Sequence, residues 1–514
     1  MYVSCRGLKN LDVLSKSDPY VIIYTKQNKE FDQWKILGQT EVAKNNLNPD
    51  FVKAFEMFYQ FERHQYLRFV VQDSDDGSNP DEIGHFECTL GQIAGSRGMS
   101  LESELRLIDS DDQALQKQNR GKIQIKVSPL QKNNWELFLK INATDLPASG
   151  NCLCFPKTNP QIEICRTQGD IESGVSDNFS VYKSQQASVN SRSFQFKPIR
   201  IAGGLVCNNQ SSNPILFKFS NSVQEKEEII GKVQASIDEM KVKKQFGIVN
   251  DQGTQNGLMK IQSIDVRDKP SFLGYIKAGW EISFLVAIDY TLSNGNPNSA
   301  SSLHTNTQFN PYQRAILSVG GIIENYDSDK CFPVYGFGGI PTHMNKTSTS
   351  HCFPLNGSQK NSEIKGCENI LAEYTKQLSI IQQSAPTVFL PILEEVEDIA
   401  KDRLGKKVYN ILLILTDGEI GDMPEVQNKI VKMSKLPISI IIIGLGSGSF
   451  HNMQVLDGDQ QVLRNTNGEP GVRDIVQFVK FLDYEGNDSA LAAEVLKEIP
   501  EQFLAYADYK GFKQ

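Results

Sequence analysis

In the first quarter of the chain apolar residues fall on alternate positions in short runs separated by turn-forming residues, as in Gly121-Lys122-Ile123-Gln124-Ile125-Lys126-Val127. A period of two predicts antiparallel strands with one face buried, so residues 1–128 are expected to form a β-sandwich. A short polar joint follows. A second run of the same kind begins at Trp135-Glu136-Leu137-Phe138-Leu139-Lys140-Ile141 and ends near Ile264, which makes residues 133–268 a second sandwich and a diverged internal repeat. After Lys269-Pro270 the apolar runs become longer and continuous. Trp280–Ile288, Phe332–Phe337, Ile411–Leu415 and Ile438–Ile443 read as buried parallel strands. Helical periodicity lies between them at Pro311–Tyr326, Cys367–Ile381, Val388–Leu404 and Pro424–Leu436, so residues 272–514 are expected to be a doubly wound α/β domain. The polar stretch Gly339–Ser362 is expected to be a long surface loop.

A chain of 514 residues exceeds what one core organises, in keeping with three domains. A net charge of −8 excludes a general nucleic-acid binder, which needs a basic footprint to displace counterions. No run approaches the length of apolar residues that a spanning helix needs, and Met1–Gly7 lacks the basic and apolar regions of a signal peptide. The expected location is the cytoplasm. Nine cysteines without paired spacing suit reduced thiols; Cys152, Cys154 and Cys165 lack the second close pair of a zinc site.

Five aspartates stand out from ordinary turn chemistry. Asp12 and Asp18 precede the apolar strand Tyr20–Tyr24; Asp73, Asp75 and Asp81 follow Leu67–Val71 and close on Ile83-Gly84. Carboxylates gathered this way repel one another unless a cation joins them, and calcium takes six to eight oxygens in flexible geometry. The wording Ser17-Asp18-Pro19-Tyr20-Val21, Asp73-x-Asp75 and Asp81-Glu82-Ile83-Gly84, with Gly38-Gln39-Thr40-Glu41-Val42 and Asn46-Leu47-Asn48-Pro49-Asp50-Phe51, resembles the first C2 domain of the copines. That family has two C2 domains followed by a von Willebrand A-like domain, and the resemblance covers essentially the whole chain. It implies that Asp12, Asp18, Asp73, Asp75 and Asp81 bind calcium. It also places Met1 in the middle of the first sandwich strand, so a frayed edge is expected there.

The second sandwich is expected to have lost its metal. Aligned on the first, it carries Leu153 and Asn159 in one loop and Ser220, Ser222 and Glu228 in the other, a single carboxylate in five positions. The third domain carries a different set. Asp289-Tyr290-Thr291-Leu292-Ser293 ends its first strand and Thr416-Asp417-Gly418 ends another, at the sheet edge where open α/β folds bind ligands. One carboxylate with two hydroxyls suits magnesium or manganese that keeps some water. The arrangement resembles the metal-ion-dependent adhesion site of von Willebrand A domains, supported by Ser302-Leu303-His304 and Asn310-Pro311-Tyr312. Resemblance assigns Asp289, Thr291, Ser293 and Asp417 as ligands, with Ser362 as the candidate for the threonine that such domains add. It implies that the open metal position accepts a carboxylate from a protein partner.

Signals for catalysis do not hold up. Ile443-Gly444-Leu445-Gly446-Ser447-Gly448 misplaces the third glycine of a dinucleotide fingerprint, and no phosphate-loop, nucleophile-elbow or zinc-protease motif is present. The expected protein is therefore no enzyme. It is a calcium-dependent phospholipid-binding adaptor that moves from the cytoplasm to the plasma membrane or other membranes when calcium rises, and recruits protein clients through its A domain. The rival is a calcium-independent interaction scaffold. Val13 and Leu14, between the loop ligands, either dip into an anionic membrane or lie buried under the loop.

Overall fold

The computed structural model describes the chain except for residues 14, 28–31, 75–79, 108–117, 130–134, 148–159, 169–176, 185–187, 191–192, 208–209, 224–225, 459–460 and 513–514; for 167–168, 177–179, 188–190, 222–223 and 226–227 it describes the backbone alone. Two compact units result: Met1–Pro129 together with Pro270–Gln514, and Leu130–Lys269.

The first unit opens with two antiparallel sheets face to face. One runs Lys35–Gln39, Pro19–Lys26, Tyr66–Asp73, Asp81–Thr89; the other runs Tyr2–Arg6, Lys122–Lys126, Ser100–Glu104. Alternation decides which side chains meet between them: Ile123 and Ile125 are buried while Lys122, Gln124 and Lys126 are exposed, and they share a core with Val21, Ile23, Phe69, Val71 and Ile83. The edge expected to fray is covered instead. Residues 47–55 run beside Tyr2–Arg6, with Cys5 N donating to Pro49 O at 2.9 Å, Phe51 N to Val3 O at 3.2 Å and Phe55 N to Met1 O at 2.9 Å. A paired edge has no unmet N–H or C=O groups to fray.

Pro270–Gln514 builds a sheet in the order Phe353–Pro354, Cys331–Phe337, Glu281–Asp289, Val408–Thr416, Ile438–Gly444, Val476–Lys480, parallel except for its first member. Its central strands are mostly apolar because both faces are covered. Phe284, Val286 and Ile288 face the helices Pro311–Ile323, Cys367–Gln377, Asp488–Leu496 and Ile499–Lys510. Leu285 and Ala287 face Leu390–Asp402, Met423–Met433 and His451–Asp457. The stretch Gly339–Ser362 is not a plain surface loop. Gly339–Pro341 pairs with Ile381–Gln383, and Phe353–Pro354 extends the main sheet with Phe353 and Leu355 buried. Two apolar anchors suffice to pin a polar segment, and Gly336 leaves room for the Phe353 ring, which a side chain there would strike.

The sandwich and the α/β domain of this unit share a packed boundary. Phe61 lies 4.9 Å from the Phe272 ring and 5.0 Å from the Tyr326 ring, centroid to centroid, and belongs with Met99 to the α/β domain's core. The helix Leu90–Gly95, capped by a Thr89–Gln92 capping box, runs against Glu324–Tyr326. Gly95 is needed at that contact, because a Cβ there would overlap the Asn325 carbonyl.

Leu130–Lys269 is a continuous antiparallel path of strands in the order Asp177–Lys183, Pro160–Gln168, Ile215–Val223, Lys226–Ala235, Gln245–Val249, Gln255–Asp268, Trp135–Thr144, Ser193–Gln195, Ser188–Asn190, with Ile199–Ala202 also on Trp135–Thr144. Leu137, Leu139, Ile141, Ile162, Phe217 and Phe219 fill its core. Gln255–Asp268 continues past Ile264, where the alternation in sequence fades because its last residues are mostly exposed.

Candidate metal centres

At one end of the first sandwich the strand register lines up acids. Asp73 ends one strand opposite Asp81, which begins the next, and opposite Pro19 on the other side, beside Asp18. Asp73 is buried; its Oδ1 accepts from Asp18 N at 2.6 Å, while its Oδ2 is buried with no hydrogen-bond partner. Asp18 Oδ1 accepts from Asn45 N at 2.7 Å, and Asp12 Oδ2 accepts from Ser15 Oγ at 2.7 Å. The structure thus gathers Asp18, Asp73 and Asp81 at one edge and holds Asp12 in the neighbouring loop; Asp75 lies outside the described residues. Among the described residues no three His, Cys, Asp or Glu side chains converge into a closed metal cluster. A buried carboxylate oxygen without a donor is costly unless something positive meets it, and hard oxygens on two loops are the donor set calcium takes. The residues fit the ion.

Sequence reasoning did not single out what shapes this loop. Ser17 is buried and its Oγ accepts from Leu11 N at 2.9 Å; Asn10 Oδ1 accepts from Ser17 N at 2.8 Å and its Nδ2 donates to Asp12 O at 2.9 Å. The Ser-Asp-Pro-Tyr wording held the signal, since a small hydroxyl can replace a turn's backbone bond. Val13 is 97% exposed, which removes the buried alternative for that residue. Leu14 lies outside the described residues.

The second unit repeats the register with different chemistry. Phe219 pairs with Gly231 as Val71 pairs with Gly84, a register shift follows each, and Asn221 stands opposite both Pro160 and Glu228 as Asp73 stands opposite Pro19 and Asp81. The counterpart of Asp73 is therefore Asn221. Ser220, assigned from equal sequence offsets, is one residue off because this connection is a residue shorter. Asn221 is buried, Glu228 is exposed, and Leu153 and Asn159 lie outside the described residues, as does the Ser222 side chain.

In the α/β domain Asp289 ends its strand fully buried. Its Oδ1 accepts from Thr291 N at 2.8 Å and Thr291 Oγ1 at 2.7 Å, and its Oδ2 accepts from Thr416 Oγ1 at 2.7 Å. Thr291 Oγ1 meets Ser293 Oγ at 3.0 Å, and Ser293 Oγ donates to Asp417 Oδ1 at 3.0 Å. All four assigned residues thus form one chain of oxygens. Burial first, then the Asp417 charge, pushes the Asp289 carboxyl up to about 7, and burial also raises Asp417. Two acids held so close in a dry site are relieved by a cation, and the mixed carboxylate and hydroxyl set fits magnesium or manganese.

A buried ring of support holds the loop. His304 Nε2 meets Asp289 O at 2.8 Å and its Nδ1 meets the Tyr374 hydroxyl at 2.7 Å, while the ring stacks on Tyr312 at 4.2 Å. Burial lowers His304 to about 4, so the ring is neutral. Tyr312 donates to Asn294 Oδ1 at 2.6 Å. Glycines excluded as a nucleotide loop have a structural reason: a side chain at Gly448 would overlap the Asp417 carbonyl.

Ser362 is not the added ligand. Val334 N donates to Ser362 O at 3.1 Å, and Ser362 Oγ meets the Tyr335 hydroxyl at 2.8 Å. Val334 lies three residues before Phe337, which pairs with Asp289, so Ser362 sits about 10 Å back along the strand. The segment that reaches the edge is 383–389. Leu292 N donates to Ser384 O at 2.8 Å and Gly421 N donates to Thr387 O at 3.0 Å, tying this segment to both metal-site loops. Ser384 Oγ meets Thr349 Oγ1 at 2.6 Å, and Thr387 is the other hydroxyl residue that this segment carries between the two loops.

An antiparallel C2 sandwich at one end of the chain and a von Willebrand A-like domain at the other define the class: a C2 protein that carries an A domain. A C2 domain model matches residues 1–105 and a Copine model matches residues 302–514. Copine-B of Dictyostelium discoideum is 34% identical over 533 residues, covering 99% of this chain and 95% of its own length. Copine-E of the same organism is 34% identical over 542 residues, covering 99% and 86%. The manganese-loaded TRAP protein of Plasmodium vivax matches 43% of this chain and 73% of its own at a TM-score of 0.28 and 14% identity. The chain belongs to the copine family.

Proposed function

We propose that this copine is a calcium-dependent phospholipid-binding adaptor that passes from the cytoplasm to a membrane when calcium rises and recruits protein clients through its A domain, without catalytic activity of its own. The observation that carries this reading is Asp73: a buried carboxylate with one oxygen lacking a donor, at the edge where Asp18 and Asp81 also end. Calcium bound there supplies positive charge and open coordination positions for lipid phosphate oxygens. Without it, these carboxylates present like charge to an anionic leaflet and hold it off. Val13, exposed at the tip of the same loop, offers an apolar side chain to the interface.

Leu130–Lys269 reads as a second C2 domain whose site has lost most of its charge, since Asn221 takes the place of Asp73 and only Glu228 remains as a carboxylate opposite it. The α/β domain reads as doubly wound, with Asp289, Thr291, Ser293, Thr387 and Asp417 around a magnesium or manganese ion; such an ion supplies an open position for a client's carboxylate. Thr416 and His304 orient Asp289 from the other side.

Sedimentation with phosphatidylserine vesicles tests the reading. The full chain is expected to pellet with vesicles in calcium and to stay in the supernatant in chelator, and Asp73→Asn to stay in the supernatant in both. Equal pelleting of the wild type in calcium and in chelator would favour the scaffold.

A further inference from the structure

Arg120 is a cation folded into the first C2 domain, and among the described residues no acid forms an ion pair with it. Its side chain is 6% exposed, Nη1 makes one long hydrogen bond of 3.4 Å to Ile83 O, and Nε is buried without a partner. A guanidinium carries five donors and does not give up its proton. Buried charge of this kind is unfavourable until it is paired, and no carboxylate among the described residues pairs with it.

The surroundings are built for an anion. Arg120 lines a cavity of about 610 Å³ with Arg106, His85, Gln118 and Asn119. Gly84 sets one wall: a side chain there would meet Leu105 Cβ at 3.0 Å and Arg106 O at 3.1 Å, so only glycine lets residues 104–106 lie flat against the strand. His85 N then donates to Arg106 O at 2.6 Å and Arg106 N to His85 O at 3.0 Å. Residues opposed in this way project to the same face, which sets Arg106 beside His85. On the other wall Gly121, at φ +93°, approaches the Gly7 carbonyl too closely for any side chain, and Lys9 Nζ donates to Gln118 Oε1 at 2.7 Å, adding a cation at the rim. Glu104 also lines the cavity and Glu82 pairs with His85 at 3.4 Å, so Arg106, Arg120 and Lys9 face two acids.

We infer that this cavity is a calcium-independent binding site for a phosphate oxyanion. Two guanidiniums offer paired N–H groups that match phosphate oxygens. Ile83, which holds Arg120, is two residues into the strand that starts at Asp81, and Lys9 adjoins the Asp12 loop, so the cavity lies at the calcium-loop end of the sandwich. The phosphate comes either from a lipid headgroup or from a soluble phosphate ester.

The experiment uses the full chain in chelator with two probes. Inorganic phosphate is titrated by calorimetry at constant ionic strength, and phosphatidylcholine vesicles with or without a phosphorylated phosphoinositide are sedimented. Phosphate is expected to bind the wild type, and Arg120→Gln and Arg106→Gln to weaken it about tenfold or more. Arg106 is exposed, so its variant keeps the test valid should Arg120→Gln fail to fold. Pelleting with the phosphoinositide vesicles as well assigns the headgroup; phosphate binding without pelleting assigns a soluble ester. No phosphate binding by the wild type, or equal binding by wild type and Arg106→Gln, overturns the inference. Arg106→Gln is expected to keep its calcium-dependent pelleting on phosphatidylserine, so a failure here is separable from a failure of the calcium reading.

Discussion

Asp73 shows how one side chain ties stability to function. Its burial costs the metal-free chain free energy that a cation returns, so Asp73→Asn is expected to raise the melting temperature in chelator while abolishing the rise that calcium gives the wild type. A variant that still gains stability from calcium would remove Asp73 from the ligand set. Asp327 offers a test of a different kind. Burial first, then Asp329, pushes its carboxyl up to about 7, whereas the unfolded chain titrates near 3.8. The folded protein thus holds a proton that the unfolded chain has lost, and this contribution to stability falls as pH rises from about 4 to about 7. Asp327→Asn is expected to flatten that part of the melting-temperature profile, and an unchanged slope would contradict the assignment.

At the scale of elements, what was legible in sequence followed from periodicity. The four buried parallel strands and the helices between them stand within a few residues of their expected bounds, because a strand covered on both faces reads as a nearly continuous apolar run. The Gly339–Ser362 stretch departs from a surface loop because composition averages over residues, whereas its place is set by buried Phe353 and Leu355 and by the pairing of Gly339–Pro341 with Ile381–Gln383. Asn221 was missed for a related reason: counting offsets from Ile230-Gly231 cannot see a connection one residue shorter, while strand register can. Thr387 escaped because the segment carrying it has no regular pattern and gains its place only through bonds to the loops of Asp289 and Asp417. Acids beside strands, by contrast, were plain in sequence for Asp18, Asp73, Asp81, Asp289 and Asp417, since charge at a strand end needs a reason. For the helix Leu90–Gly95, Thr89→Ala removes the cap and is expected to cost about 1 kcal/mol in denaturant unfolding; a loss near zero would mean that packing on Glu324–Tyr326 alone holds the helix.

On the scale of the molecule, the first C2 domain and the A domain form one unit through Phe61, Met99 and the Leu90–Gly95 helix. In the membrane-bound state proposed above, this packed boundary carries the A domain along with the C2 domain. Phe61→Ala removes a ring from the shared core and is expected to cost about 3–5 kcal/mol. Calorimetry should resolve the two domains into separate transitions in that variant and a joint one in the wild type. Separate transitions already present in the wild type would contradict the coupling.

The proposed membrane switch depends on calcium at the N-terminal carboxylates. Anomalous scattering from crystals of the full chain grown in calcium measures that directly. The predicted result is density bridging Asp18, Asp73 and Asp81, within coordination distance of Asp73 Oδ2, and none at Asn221. A map with no peak at Asp73 in excess calcium would contradict it.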